Sequence, residues 1–252
     1  MARFFVSEDL AGQQTTVIKG PDLKHISKVL RLGPGDKIGI ADAAGREFDV
    51  KIREITGKEV ICDIIGERAS AAELPLEVVL YQGLPKGDKL DLVIQKSTEI
   101  GVSRVVPIIC ERTIVKLDEK KASGRHVRWQ RVALEAAKQS RRRLVPVVSE
   151  PLTFAAALAE MNSGVLGILP WEEERVVGIK DVFKGSTITN KKIAVFIGPE
   201  GGFTQEEAKQ AESAGVLTVS LGPRIMRTET AGIVAAAIVL YEIGDLGGVK
   251  NG

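Results

Sequence analysis

The sequence predicts an α/β protein in two parts: a small β-rich domain, residues 1–72, and a larger domain, residues 73–252, built on a parallel sheet with crossover helices. Three observations carry this reading. A chain of 252 residues is long enough for two separate cores. Near residues 66–76 the stretch GERASAAELPLE interrupts the patterning with small residues and a proline, as a linker does. The apolar runs on its two sides also differ: short and alternating before it, continuous and interleaved with helical stretches after it.

In the first part, DKIGIAD, REFDVKIREI and EVICDII read as short strands separated by AAG and TGK turns, which predicts a small antiparallel sheet or barrel. HISKVLRL is its expected helix. In the second part, LEVVLYQGL, RVVPIIC, LVPVVS, GVLGILP, KIAVFIG and VLTVSLG read as strands, with helical stretches between them. KLDLVIQKSTEIG ends on a glycine C-cap signal, and RWQRVALEAAKQS and TFAAALAEM carry helical apolar spacing. TQEEAKQAESAG opens with a Thr cap and an acidic first turn, whereas AGIVAAAIVLYEI is apolar on every side and predicts deep burial.

Composition excludes several classes. With 44% apolar, 27% charged and 4% aromatic residues the chain is an ordinary globular sequence. The apolar cluster in MARFFVSEDL is too short for a secretory signal, and no apolar run reaches the roughly 18 residues of a membrane span, so a cytoplasmic protein is expected. Cys62 and Cys110 sit far apart in strand-like runs, and His25 and His126 lack ligand spacing, so neither disulfide nor metal is expected.

The net charge of +2 hides a local excess: residues 112–143 hold 11 Lys and Arg against 3 Asp and Glu. Such a density suits a phosphate backbone. A solvated helical face is the plain alternative, because Arg125, Arg128, Arg131 and the run Arg141–Arg143 would fall on several sides of a helix.

Two loops carry the chemistry. IGPEGG follows an apolar strand and precedes a helix, placing Gly198, Gly201 and Gly202 where a ligand can approach the main chain at the carboxyl edge of a sheet. LGPRIMRTETA follows VLTVS and leads into the last apolar helix. Each alone is also what a simple strand-to-helix turn looks like, but together they can enclose one ligand. Neither GxxxxGK[ST] nor a strand-linked GxGxxG with its acidic partner is present, which disfavours nucleoside triphosphates and dinucleotides.

At these loops the sequence resembles the knotted SPOUT methyltransferases, and within them the ribosomal RNA small subunit methyltransferase E family. RFFV, HISKVLRLGPGD, QKSTEIGVSRVVPIICERT, RWQRVALEAAKQSRR, IGPEGGFTQEE and LGPRIMRTETA occur in that family's order over nearly the whole chain. The resemblance implies an N-terminal PUA-like RNA-binding β-barrel, a C-terminal domain with a trefoil knot, and a homodimer. It also implies methylation of N3 of a uridine in 16S rRNA of the small ribosomal subunit, with S-adenosylmethionine as cofactor. Two positions depart from the family pattern: Lys138 replaces a usual Glu, and Met226 a usual Leu.

Carried over residue by residue, the resemblance places the cofactor on Leu169, Pro170, Ile197, Gly198, Pro199, Glu200, Gly201, Gly202, Leu221, Gly222, Ile225 and Met226. It places RNA on Arg3, His25, Arg31, Lys86, Arg112, Arg128 and Arg142, and leaves Thr98 and Glu99 to support the fold or dimer. Methyl transfer to an imide nitrogen needs alignment and loss of a proton. Beside the second loop, Arg227 is the candidate to steady the uridine's developing negative charge, and Glu229 to accept or relay the proton; Glu200 is a weaker third. The plain alternative has Glu229 balancing the N-terminus of the next helix with Arg227 paired to it.

Overall fold

A computed structural model describes residues 2–68, 76–115, 119–184 and 192–247. The chain divides into two compact units, Met1–Glu73 and Leu74–Gly252. The boundary expected between residues 72 and 73 lies outside the described residues.

The first unit contains β1 (Arg3–Phe5), β2 (Thr15–Lys19), a short helix α1 (Pro21–Lys24), β3 (Lys37–Ala41), β4 (Glu47–Ile55) and β5 (Glu59–Arg68). The sheet order is β1-β3-β4-β5-β2. Alternation places Phe48, Val50 and Ile52 of β4 in a core with Phe4, Leu10, Ile18, Ile26, Ile38, Ile40 and Val60. Two expectations need correction. The sheet is not wholly antiparallel, because β1 pairs with β3 in parallel; the three-residue β1 carries too little pattern to be read alone. The helix expected over HISKVLRL begins earlier, with Pro21 in its first turn, widens to a π-helical turn at His25–Val29 and stops at Leu30. Arg31 then takes a left-handed φ of 54°, which no helix continues.

The second unit contains β6 (Glu77–Gly83), α2 (Lys89–Ile100), β7 (Arg104–Ile109), α3 (Glu119–Ser140), β8 (Val147–Val148), β9 (Leu152–Thr153), α4 (Phe154–Leu158) and β10 (Val165–Pro170). There follow α5 (Ile179–Phe183), β11 (Lys192–Ile197), α6 (Gln205–Ser213), β12 (Val216–Val219) and α7 (Thr228–Glu242). All pairings in this sheet are parallel, in the order β12-β10-β11-β6-β7-β8, with β9 also on β7. Continuous apolar runs in β6, β10 and β11 fit strands covered on both faces, and two core clusters lie on them.

Thr204 caps α6 as expected, accepting from Glu207 N–H while the Glu207 carboxylate accepts from Thr204 N–H. LVPVVS yields only the two-residue edge strand β8, and α4 covers only part of TFAAALAEM. The uniformly apolar α7 buries one face, Gly232, Ala235, Ala236, Val239 and Leu240, while Ile233, Val234 and Ile238 stay half-buried. Deep burial on every side was therefore too strong an expectation. Cys62 and Cys110 are buried free thiols, one in each unit, and burial raises both, Cys62 to about 11. No described helix is long and apolar enough to cross a membrane.

Candidate functional site

Sheet order gathers the two glycine loops. β10 lies between β11 and β12, with Ile168 opposite Val195 and Pro170 opposite Val219, so all three strands deliver their loops to one carboxyl edge. That edge holds Leu169 and Pro170, the loop from Ile197 to Gly202, and Leu221, Gly222, Ile225 and Met226. Leu169 and Ile197 are buried, Pro170, Leu221 and Met226 are half-buried, and Ile225 is 88% exposed. Among the described residues nothing accepts from the main-chain N–H groups of Leu221, Ile225 and Met226. The edge thus combines apolar walls with open backbone donors, a composition suited to a flat heteroaromatic ligand.

The first loop is shaped from beneath and from the sides. Gly202 N–H bonds Pro199 O at 2.9 Å, closing a turn that sets Gly202 at φ +69°, a conformation natural to glycine. Under it runs Gly83 at the end of β6, where an added Cβ would lie 2.3 Å from Pro199 N. Arg112 packs against Gly201 and donates to Gly201 O at 2.8 Å. Glu200 accepts from Lys86 N–H at 3.0 Å and from Lys89 Nζ at 3.2 Å. Partial burial opposes the Glu200 charge, yet the hydrogen bonds from the Lys86 and Glu200 N–H groups and from Lys89 outweigh it and hold the carboxyl below its usual range.

A buried hydrogen-bond chain joins this loop to the second. Gln82 Nε2 donates to Thr228 Oγ1 at 2.8 Å, and Thr228 Oγ1 donates to Gly198 O at 2.5 Å. Thr228→Val keeps the shape and removes both bonds, leaving the Gln82 amide only its longer 3.3 Å bond to Gly83 O and depriving Gly198 O of this donor. Loss of about 1–3 kcal/mol of stability is expected, read by urea denaturation against Thr228→Ser, which keeps the hydroxyl. Equal stability of the two variants would show that the chain contributes nothing.

At the second loop Arg227 is the N-cap residue of α7 and is exposed; nothing among the described residues pairs with its guanidinium. Glu229 lies in the first turn of α7, half-buried, with Lys89 Nζ 3.5 Å from Oε2 and no hydrogen bond on that buried oxygen. The alternative in which Arg227 pairs with Glu229 is therefore not what the fold adopts. Lys89 takes that place.

The seven basic residues assigned to RNA are not equivalent. In the first unit, Arg3 is paired with Glu47 at 2.7 Å and lies over the Phe5 ring. His25 is exposed, edge-on to Phe4, and Arg31 is exposed in its left-handed turn. In the second unit, Lys86 is exposed, Arg112 grips the first loop, and Arg128 is paired with Asp88 and Asp91. Arg142 is buried at 9% exposure and donates to Thr98 O and Val102 O at the C-terminal end of α2. Its guanidinium satisfies main-chain carbonyls, which assigns it to the fold rather than to phosphate. The buried Thr98 bonds Ile94 O, Glu99 pairs with Lys96, and Lys138 pairs with Glu135.

Sequence reading missed Gln82, Gly83, Lys89 and Thr228. Only Lys89 carried a local signal, a cation in the first turn of a helix, where the dipole disfavours it.

Comparison with known proteins agrees with this architecture. The family model described as RNA methyltransferase domain matches residues 72–240, and that described as RNA methyltransferase PUA domain matches residues 18–65. The chain is 35% identical to ribosomal RNA small subunit methyltransferase E of Bacillus subtilis, covering 96% of this chain and 97% of that protein. The namesake of Synechocystis is 32% identical, covering 93% and 76%. The crystal structure of ribosomal RNA small subunit methyltransferase E from Neisseria gonorrhoeae, bound to S-adenosyl methionine, matches with a TM-score of 0.85 and 33% identity over 98% of this chain and 99% of that one. With relatives of this identity along its whole length and a family model over most of the second unit, the chain belongs to the ribosomal RNA small subunit methyltransferase E family of RNA methyltransferases.

Proposed function

We propose that this chain transfers a methyl group from S-adenosylmethionine to N3 of a uridine in 16S rRNA of the small ribosomal subunit. The observation that carries the reading is the convergence of three neighbouring strand ends, two of them opening into glycine loops, on an edge with apolar walls and open main-chain donors. That edge fits the cofactor: the half-buried Leu221 and Met226 suit the adenine faces, the N–H groups of Leu221, Ile225 and Met226 suit its acceptors, and Leu169 and Ile197, whose side chains are buried in the core, can meet it only through main chain. S-adenosylmethionine supplies an electrophilic methyl group on a sulfonium.

The protein's own residues then have two tasks, alignment and charge. The Arg227 guanidinium, exposed and unpaired among the described residues, steadies the negative charge that grows on the uracil carbonyls as N3 loses its proton. Glu229, whose Oε2 bears no hydrogen bond, accepts or relays that proton. RNA contacts rest on the exposed His25, Arg31 and Lys86 and on Arg112 at the loop rim, while Arg3 and Arg128 are engaged with carboxylates and Arg142 is buried. The reading includes a homodimer, supported by the apolar side chains that α7 leaves half-buried, and a threaded C-terminus. From β12 at the edge of the sheet the chain returns to set α7 against β6, β11 and α2, a path that threading would require.

The test supplies methyl-labelled S-adenosylmethionine with small subunits lacking the modification, and with their free rRNA, and locates the label by nucleoside mass spectrometry. Labelled N3-methyluridine is expected. A ribose 2′-O-methyl product would retain the pocket and overturn the atom assignment; cofactor binding without transfer to either RNA form would overturn the activity.

A further inference from the structure

Lys89 begins α2, and its Nζ stands 3.2 Å from Glu200 Oε1 and 3.5 Å from Glu229 Oε2. Three stretches of chain meet there: the turn after β6, the loop after β11 and the first turn of α7. Two carboxylates within 3.5 Å of one nitrogen repel each other unless a cation lies between them. The site is only partly open, with side-chain exposures of 35% for Lys89, 29% for Glu200 and 13% for Glu229, so water screens it less than it would a surface pair. Lys89 also breaks a local rule: a cation in the first turn of a helix opposes the dipole. Such conflicts collect where function demands them.

We propose that Lys89 is a positioning residue that fastens the Gly198–Gly202 loop to the start of α7. Its ammonium sets Glu200, and with it the loop backbone, in the form that lines the cofactor site, and it anchors this loop to the Glu229 carboxylate at the start of α7. The role rests on the cofactor reading above only for its consequence; the fastening itself is a property of the free protein.

Hydrogen exchange of the loop amides, residues 198 and 200–203, in ligand-free protein tests the fastening directly. Lys89→Met is expected to speed exchange there about tenfold, with segments outside this loop and the first turn of α7 unchanged, and Lys89→Arg to stay within about threefold of the parent. The double variant Lys89→Met/Glu200→Gln is expected to exchange no faster than Lys89→Met alone, because both changes remove one contact. Calorimetry should show S-adenosylmethionine bound about tenfold more weakly by Lys89→Met. Unchanged loop exchange in Lys89→Met, or effects that multiply in the double variant, would overturn the proposal. If Lys89→Met does not fold, Glu200→Gln alone must speed the same amides, and its failure to do so is equally decisive. A parent protein that does not bind S-adenosylmethionine would overturn the cofactor reading, leaving the exchange result to judge Lys89.

Discussion

Gly83→Ala is expected to weaken S-adenosylmethionine binding by about 10- to 100-fold, equivalent to the loss of one or two well-placed hydrogen bonds. An added Cβ would stand 2.3 Å from Pro199 N, 2.5 Å from Gly198 C and 2.8 Å from Pro199 Cδ. These are mostly backbone atoms, so no side-chain rotation relieves the contact. β6 is paired on both sides, with β11 and β7, and cannot easily retreat. The loop must therefore lift, at a cost of about 1–3 kcal/mol for overpacking, and its glycines leave the positions that line the edge. Gly201→Ala is the graded comparison: its Cβ meets Arg112 Cβ at 3.0 Å and Cδ at 3.3 Å, a tight contact that needs a shift of a few tenths of an ångström rather than the lifting that 2.3 Å demands. Gly202→Ala has 3.5 Å to Glu172 and suffers mainly from its left-handed backbone, which costs on the order of 1 kcal/mol. Calorimetric affinities should fall most for Gly83→Ala. An affinity within twofold of the parent, with the protein folded, would mean that this loop is not a wall of the cofactor site.

Much of this site was legible because loops at strand ends are written locally. Apolar runs ending in IGPEGG and LGPR mark two strand-to-helix turns, and Thr204 with Glu207 marks the helix that follows the first. What local pattern does not contain is which strands are neighbours. That β10 stands between β11 and β12 is a property of the sheet, and it is what brings Pro170 beside the other two loops. The same limit hid Gln82 and Gly83: each meets its partner, Thr228 or Pro199, across more than a hundred residues of chain, and nothing in their own surroundings announces it, while Lys89 showed only its misplaced charge and not the two carboxylates it meets. Arg142 shows the converse. In the run RRR it looks like its neighbours, and only tertiary packing turns its guanidinium inward to the carbonyls that end α2. The π-helical turn at His25–Val29 was illegible for a further reason, since its spacing is close to that of an ordinary helix.

Arg227→Ala is expected to lower kcat by about 100- to 1000-fold, the range seen when one preorganised donor to a developing anion is removed. Cofactor affinity should stay within about twofold, because the side chain is exposed and none of the described contacts that shape the first loop involve it. A guanidinium bound to Glu229 would be half-neutralised before substrate arrived, and its loss would chiefly disturb the start of α7. Instead Lys89 stands against Glu229, and Arg227 keeps its charge and five donors for a ligand. Arg227→Lys should recover only part of the loss, since an ammonium offers charge without the planar fork that can span neighbouring acceptors. Single-turnover rates with saturating cofactor and RNA separate this role from binding. A fall in cofactor affinity that accounts for the whole loss would move Arg227 into the pocket wall, and full activity of the alanine variant would remove it from the chemistry altogether.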